Sequence, residues 1–189
     1  MPAALDAKEK AKIVDRLFVV FQNHGYEGAS LADLSRATGL GKSSLYHHFP
    51  RGKEQMAEAV LEKGKAFIQT AVAEVARSPE PLKGRIRNII AALNRLYAGG
   101  RNACVLGRLA VSEIGPAGRQ LAHDIFAIWT DAVAYLGRES GMSQARSRHF
   151  AEDWIARVQG SLILYAASGD CTPFERAMMS LLDLAKEKA

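Results

Sequence analysis

Residues 30–54, SLADLSRATGLGKSSLYHHFPRGKE, leave this chain few choices of local structure. Ser30 stands where a helix N-cap is wanted, with Asp33 three residues on, and Leu31, Leu34 and Ala37 repeat at helical spacing until Gly39 ends the pattern. Gly39-Leu40-Gly41 supplies a tight turn in which Leu40 points inward and pins two helices together. A second helix is predicted over residues 42–49, closed by Pro50, with Leu45 and Phe49 on its buried side. Lys42, Ser43, Ser44, Tyr46, His47 and His48 are left to face outward. The unit reads as a helix-turn-helix.

That outward face is rich in hydrogen-bond donors and has no carboxylate, which suits a helix lying in the major groove of DNA beside the phosphates. At about 1.5 Å rise per residue the second helix is a rod of roughly 12 Å, comparable with the groove. A surface helical hairpin with a polar face has the same spacing, and spacing alone leaves both readings open.

The segment GYEGASLADLSRATGLGKSSLYHHF resembles the N-terminal domain of TetR-family transcriptional regulators, from the Gly-Tyr after the first helix to the Leu-Tyr-x-His-Phe ending. The continuation Phe-Pro-x-Gly-Lys-Glu, with one more residue between Phe49 and Lys53 than many members show, resembles the LmrA/YxaF-like branch. The resemblance is strong over the first third of the chain and weaker beyond. It implies an all-α fold of about nine helices, with a three-helix DNA-binding domain over residues 1–52 and a helical regulatory domain over 53–189. It also implies a homodimer on a palindromic operator and a small-molecule effector. The residues expected to meet DNA are Ser30, Lys42, Ser43, Ser44, Tyr46, His47 and Lys53, with Ser43 and Ser44 nearest the bases. Lys53 is placed on a phosphate partly by this resemblance, since Gly52-Lys53 also reads as a plain turn entering a helix.

A chain of 189 residues suits one globular unit or two small domains sharing a helix. Residues 1–7 read as an arm. Residues 8–23 form an apolar stripe of Ile13, Val14, Leu17, Phe18 and Phe21, stopped at His24-Gly25, and Tyr26 folds back on it. Lys8, Lys10, Lys12 and Arg16 on the polar side either approach phosphates or make a solvated face with Glu9 and Asp15. The net charge of +5 favours an acidic partner such as double-stranded DNA but is also within ordinary surface variation.

From Lys53 one long helix is predicted to residue 77, with Met56, Val60, Gly64, Phe67, Ala71 and Val75 as its stripe, until Ser78-Pro79-Glu80-Pro81 breaks it. Begun beside the DNA-binding unit, it is placed to transmit a displacement. Further helices are predicted over 82–98, 104–113, from Leu121 to about 141, from Ser143 to 168, and from a capping box at Thr172-Pro173-Phe174-Glu175. Separate helices bearing aromatic and small residues can leave an apolar cavity. Its candidate lining is Phe67, Ile90, Leu93, Tyr97, Cys104, Leu106, Phe126, Trp129, Trp154 and Val158. Each of these taken alone reads as plain core rather than cavity lining, and the family branch inclines the effector towards planar aromatic compounds.

The last two helices carry more apolar surface than one side needs: Trp154, Ile155, Val158, Leu162, Ile163, Leu164 and Tyr165, then Phe174, Met178, Met179, Leu181 and Leu182. A monomer burying all of it is the alternative to the dimer. Cys104 and Cys171 lie far apart without ligand spacing, and His123 and His149 have no partner at metal-ligand spacing, so reduced thiols and no metal or cofactor are expected. No run of about 18 apolar residues or signal peptide occurs, so no membrane partner and a cytoplasmic location are expected. No phosphate loop, nucleophile motif or paired carboxylates speak for an enzyme. A repressor released by an effector and an activator without small-molecule induction remain the competing readings.

Overall fold

The computed structural model describes residues 7–186. Among these there are nine α-helices and no strand: α1 (Ala7–Gly28), α2 (Leu31–Thr38), α3 (Lys42–His48), α4 (Lys53–Ile68), α5 (Leu82–Leu96), α6 (Val105–Ala110), α7 (Gly115–Glu139), α8 (Gln144–Ser168) and α9 (Thr172–Leu182). A π-helical segment, Gln69–Glu74, continues α4, and a short 3₁₀ turn, Asp183–Ala185, follows α9. The all-α class and the helix count match the sequence reading. Of the arm expected over 1–7, residues 1–6 lie outside the described residues and Ala7 already belongs to α1. The helix expected to stop at Gly25 breaks there, at φ 69° and ψ −175°, and adds one more turn to Gly28.

The chain divides into two compact units, the first running to Lys65 and including Val105–His123, the second made of Ala66–Cys104 and the chain from Asp124 on. The division expected between residues 52 and 53 does not coincide with them. The first unit takes in most of α4, where Met56, Ala57, Val60 and Leu61 are buried, and also α6 with the start of α7.

In the first unit α1 buries Ile13, Val14, Leu17, Val20 and Phe21, and Tyr26 does fold back, its ring stacked on Phe21 at 6.2 Å. The end of α1 is gripped by the α6 region. Arg108 Nη1 donates to Asn23 O at 3.1 Å, and Glu27 accepts from Ser112 Oγ at 3.0 Å and from Glu113 N at 3.3 Å. The backbone amide of Glu27 itself, and after it the bonds from Glu113 and Ser112, hold the Glu27 carboxyl below the usual carboxylate range. Leu106 closes over Gly64, where an added Cβ would stand 2.3 Å from Leu106 Cδ2.

The second unit is built round aromatic side chains. Trp129 and Trp154 meet edge to face at 6.2 Å, and Trp154 Nε1 donates to Ala177 O at 2.7 Å, fastening α8 to α9. Buried Arg85 donates to Ala76 O at 2.7 Å and to Glu139 at 3.1 Å, so its charge is paired where it leaves water. Tyr97 packs edge-on against Phe174 at 5.9 Å.

Two local expectations are corrected. The helix predicted over 53–77 is not one regular α-helix, and the buried residues past Gly64 are Ile68, Val72, Ala73 and Ala76, while Phe67, Ala71 and Val75 are half-buried. A stripe repeating every four residues drifts round a helix of 3.6 residues per turn, and the wider turn of the π segment brings it back into line. At α9 the capping box does not form. Thr172 lies inside the helix, the N-cap is Cys171, which makes no side-chain cap bond, and the Glu175 N–H donates to Cys171 O at 3.1 Å.

Gly100 gives the clearest test of this packing. Its φ is +93°, and a Cβ there would lie 2.7 Å from the Cβ of Phe174, an atom that cannot swing aside. Gly100→Ala is expected to lower unfolding free energy by about 1–3 kcal/mol, through backbone strain and overpacking together. Urea denaturation followed by circular dichroism reads it, and an unchanged midpoint would show that this turn can move.

Candidate nucleic-acid interface

The helix-turn-helix forms as its sequence dictates. Ser30 Oγ accepts from Asp33 N at 3.1 Å while the Asp33 carboxylate accepts from Ser30 N at 3.3 Å, a complete capping box. Gly39 ends α2 in the left-handed conformation, and Thr38 Oγ1 closes on Leu34 O at 2.7 Å. The turn is then held by polar bonds: Ser35 Oγ donates to Leu40 O at 2.6 Å and Arg16 Nη1 donates to Thr38 O at 2.7 Å. Leu40 is half-buried and lines a groove with Lys8, Glu9, Lys12, Ile13 and Arg16.

On α3, Leu45 and Phe49 are fully inside, which turns the other side of the helix to solvent. Lys42, Ser43, Tyr46 and His47 are exposed; Ser44 and His48 are half-buried. His47 and His48 meet edge to face at 5.0 Å. Residues 42–48 contain no carboxylate. Tyr46 leans on Gly52, whose φ is +60° and where a Cβ would come within 3.1 Å of the Tyr46 ring, so its hydroxyl is carried on a supported ring. The extra residue after Phe49 also has a use: Arg51 makes a two-pronged ion pair with Glu58 on α4 and so anchors the turn that follows α3.

The two remaining candidates are engaged within the protein. The Ser30 hydroxyl proton goes to Asp33 Oδ2 at 2.5 Å, and this bond holds the Asp33 carboxyl below its ordinary range. The Lys53 ammonium donates to Tyr26 O at 2.9 Å and Ala29 O at 3.2 Å and sits 4.5 Å from the centre of the Tyr26 ring. Burial, then the carboxylates of Glu54, Glu27 and Glu58, raise the Tyr26 hydroxyl above its usual range. No local pattern in the sequence signals the Lys53 bonds, since both carbonyls lie more than 20 residues back.

Of the residues read as cavity lining, Leu93, Tyr97, Cys104, Trp129, Trp154 and Val158 are buried in the second unit, and Phe67, Ile90 and Phe126 are half-buried there. Leu106 is buried in the first unit against Gly64. Phe126 stacks on Trp129 at 6.1 Å, and the Tyr97 hydroxyl lies 3.3 Å from Cys104 Sγ. Burial first, and Cys104 after it, push the Tyr97 hydroxyl well above its ordinary range. Neither cysteine is in a disulfide, and His123 and His149 are exposed. On α8 and α9 the apolar excess resolves clearly: Trp154, Val158, Phe174 and Leu181 are inside, while Ile163, Leu164 and Met179 are 71%, 54% and 55% exposed. Among the described residues no helix is long and apolar enough to cross a membrane.

Known proteins agree with this geometry. Residues 13–60 match the family model described as "Bacterial regulatory proteins, tetR family". The HTH-type transcriptional regulator LmrA of Bacillus subtilis is 26% identical over 186 residues, covering 96% of this chain and 97% of LmrA. The "Biofilm operon icaADBC HTH-type negative transcriptional regulator IcaR" of Staphylococcus epidermidis is 35% identical over 59 residues, 31% of this chain and 32% of its own. A TetR transcriptional regulator from Legionella pneumophila shares the fold at TM-score 0.83 and 22% identity, over 98% of this chain and all of that one. These relatives are DNA-binding regulators, and the capped α2, the polar turn and the donor face of α3 are the parts such a protein needs. The chain is thus similar to TetR-family transcriptional regulators, over residues 13–60 to the family model and over almost all its length to LmrA.

Proposed function

We propose that this protein is a homodimeric repressor that binds a palindromic operator and is released from it by a small apolar or aromatic effector. The observation that carries the DNA contact is the exposed, carboxylate-free face of Lys42, Ser43, Tyr46 and His47 on α3. Ser43 and Ser44 lie nearest the bases; Lys42, Tyr46 and His47 meet phosphates. Ser30 and Lys53 sit at the margin of the contact, their main work being to hold α2 and the start of α4 in place. Repression follows the relative named a negative regulator.

The dimer contact falls on α8 and α9, where Ile163, Leu164 and Met179 are left without cover and a shallow groove is lined by Arg157, Gly160, Leu164 and Pro173. Twofold symmetry then sets two recognition helices about 34–36 Å apart, or a multiple of that, for successive major grooves. For induction, the chain itself supplies two routes. α4 has one end in each unit, and Cys104 of the second unit is bonded directly to Val105 of the first, where α6 begins. A ligand that shifts the neighbourhood of Tyr97 and Cys104 therefore pulls on the segment whose Arg108, Ser112 and Glu113 grip the end of α1.

A gel shift with the DNA flanking its gene tests the reading as a whole: failure to bind any of it would remove the regulator, and binding that no small molecule reverses would favour an activator. Within that assay, Lys42→Ala is expected to weaken binding and reduce the slope of log affinity against log salt by about one. An unchanged slope and affinity would take Lys42 out of the interface. Tyr46→Phe keeps the ring on Gly52 and removes only the hydroxyl; a loss of affinity assigns that hydroxyl to DNA, and no loss makes Tyr46 structural. Leu164→Glu is expected to give a folded monomer by light scattering, with operator affinity lost alongside the dimer; a dimer that survives it places the contact elsewhere. Effector and operator should oppose each other by about 1–3 kcal/mol, and reciprocally. Titrating effector with and without operator checks this, and equal affinities would exclude linked induction.

A further inference from the structure

Three arginines of the second unit gather on one ring. The guanidinium carbons of Arg77, Arg138 and Arg85 lie 5.2, 5.8 and 6.0 Å from the centre of the Tyr135 ring. A ring has two faces, so at least two of the three cations share one. Only Arg85 is paired with a carboxylate, that of Glu139 at 3.1 Å. Arg77 donates one N–H to Ala73 O at 3.1 Å, while neither Arg138 nor the Tyr135 hydroxyl has a hydrogen bond or ion pair among the described residues. The carbonyl ends of helices attract cations, and the bonds to Ala73 O and Ala76 O answer one N–H each of Arg77 and Arg85. They supply no bond to Arg138. Three cations against one bonded carboxylate leave an excess of positive charge, and like charges held this close repel one another.

The exposed part of this cluster has the form of an anion site. Arg77 and Arg138 are exposed and Tyr135 is half-buried. A guanidinium stacked on a ring keeps its N–H edge free and fixed, the arrangement that receives a phosphate or carboxylate through two parallel bonds. Arg77 also borders an open groove of about 430 Å³ that it shares with Glu74 and Asp131. Asp131 is held by Arg148 at 2.7 Å, and Glu139 by Arg85. Carboxylates at Glu74, Asp131 and Glu139 thus border the arginines, a rim that disfavours an extended polyanion such as DNA and suits one compact anion. We infer that Arg77, Arg138 and the Tyr135 hydroxyl bind a phosphate-type oxyanion, at a site that uses neither the α3 residues nor the proposed effector lining. Once bound, the anion ties the end of the helix begun at Lys53 to the last turn of α7.

Thermal unfolding of the intact protein in sodium phosphate, and in sodium chloride of equal ionic strength, tests the inference. Phosphate is expected to raise the midpoint saturably, by about 3 °C or more at about ten times its dissociation constant, where chloride does not. Arg77→Gln and Arg138→Gln, both at exposed side chains, should each abolish the saturable rise, and their midpoints in chloride read whether they fold. Phosphate also stabilises proteins by exclusion from their surface, an effect that grows without saturating and that the variants keep. Lys42→Ala controls for phosphate held on the DNA-facing helix and should leave the rise intact. A rise that does not saturate in the unaltered protein, one that survives both glutamine variants, or one that is lost in Lys42→Ala would each overturn the inference. The first and last of these outcomes need no change to the arginine cluster, so they decide even where a glutamine variant folds poorly.

Discussion

The Lys53 ammonium, set on the carbonyls of Tyr26 and Ala29, is the bond on which the DNA-binding unit depends. Those carbonyls lie where α1 runs out and the chain turns towards Ser30, a place where helix ends leave acceptors unmet. A cation there satisfies the end of α1, steadies the entry to α2 and ties both to the first residue of α4. Hydrogen bonds to a charged group contribute more than neutral ones, on the order of 2 kcal/mol, and the half-buried Lys53 is shielded from part of the solvent screening. The Tyr26 ring beneath it, stacked in turn on Phe21, carries the same bond into the core.

What was legible in the sequence were features decided within a few residues. The Ser30 cap, the stop at Gly39, and the inward turn of Leu45 and Phe49 all follow from local spacing, and the structure has each of them. Side chains engaged over long range were not legible. Nothing near Lys53 announces the carbonyls of Tyr26 and Ala29, more than 20 residues back. At Thr172 a cap pattern was present and the cap was not, because the helix already begins at Thr172 and the N-cap falls on Cys171. The compact units likewise cut across the sequence division, since α6 returns to the first unit through contacts 85 residues apart.

The buried series along the helix from Lys53 departs past Gly64 from the expected stripe of Phe67, Ala71 and Val75, and the departure coincides with the π segment. Met56, Val60, Gly64, Ile68, Val72 and Ala76 are all buried and all four residues apart. A regular α-helix rotates such a series by about 40° at each step, enough to carry it off one side within a few turns. Widening the turn at Gln69–Glu74 is the cheapest correction, and it falls just past Lys65, where the first unit ends.

Exposed apolar residues bear differently on function according to their company. Val19 and Val111 stand singly, and single apolar side chains on a surface need no partner to explain them. Ile163, Leu164 and Met179 lie on two helices already packed together and fastened by the Trp154 bond to Ala177. The α8–α9 pair thus has a stable interior side, filled by Val158, Phe174, Met178 and Leu181, before any partner arrives. Its second apolar side is therefore surplus to the fold of one chain, and a surface of that kind, borne on a preformed rigid pair, loses little entropy when a like surface covers it.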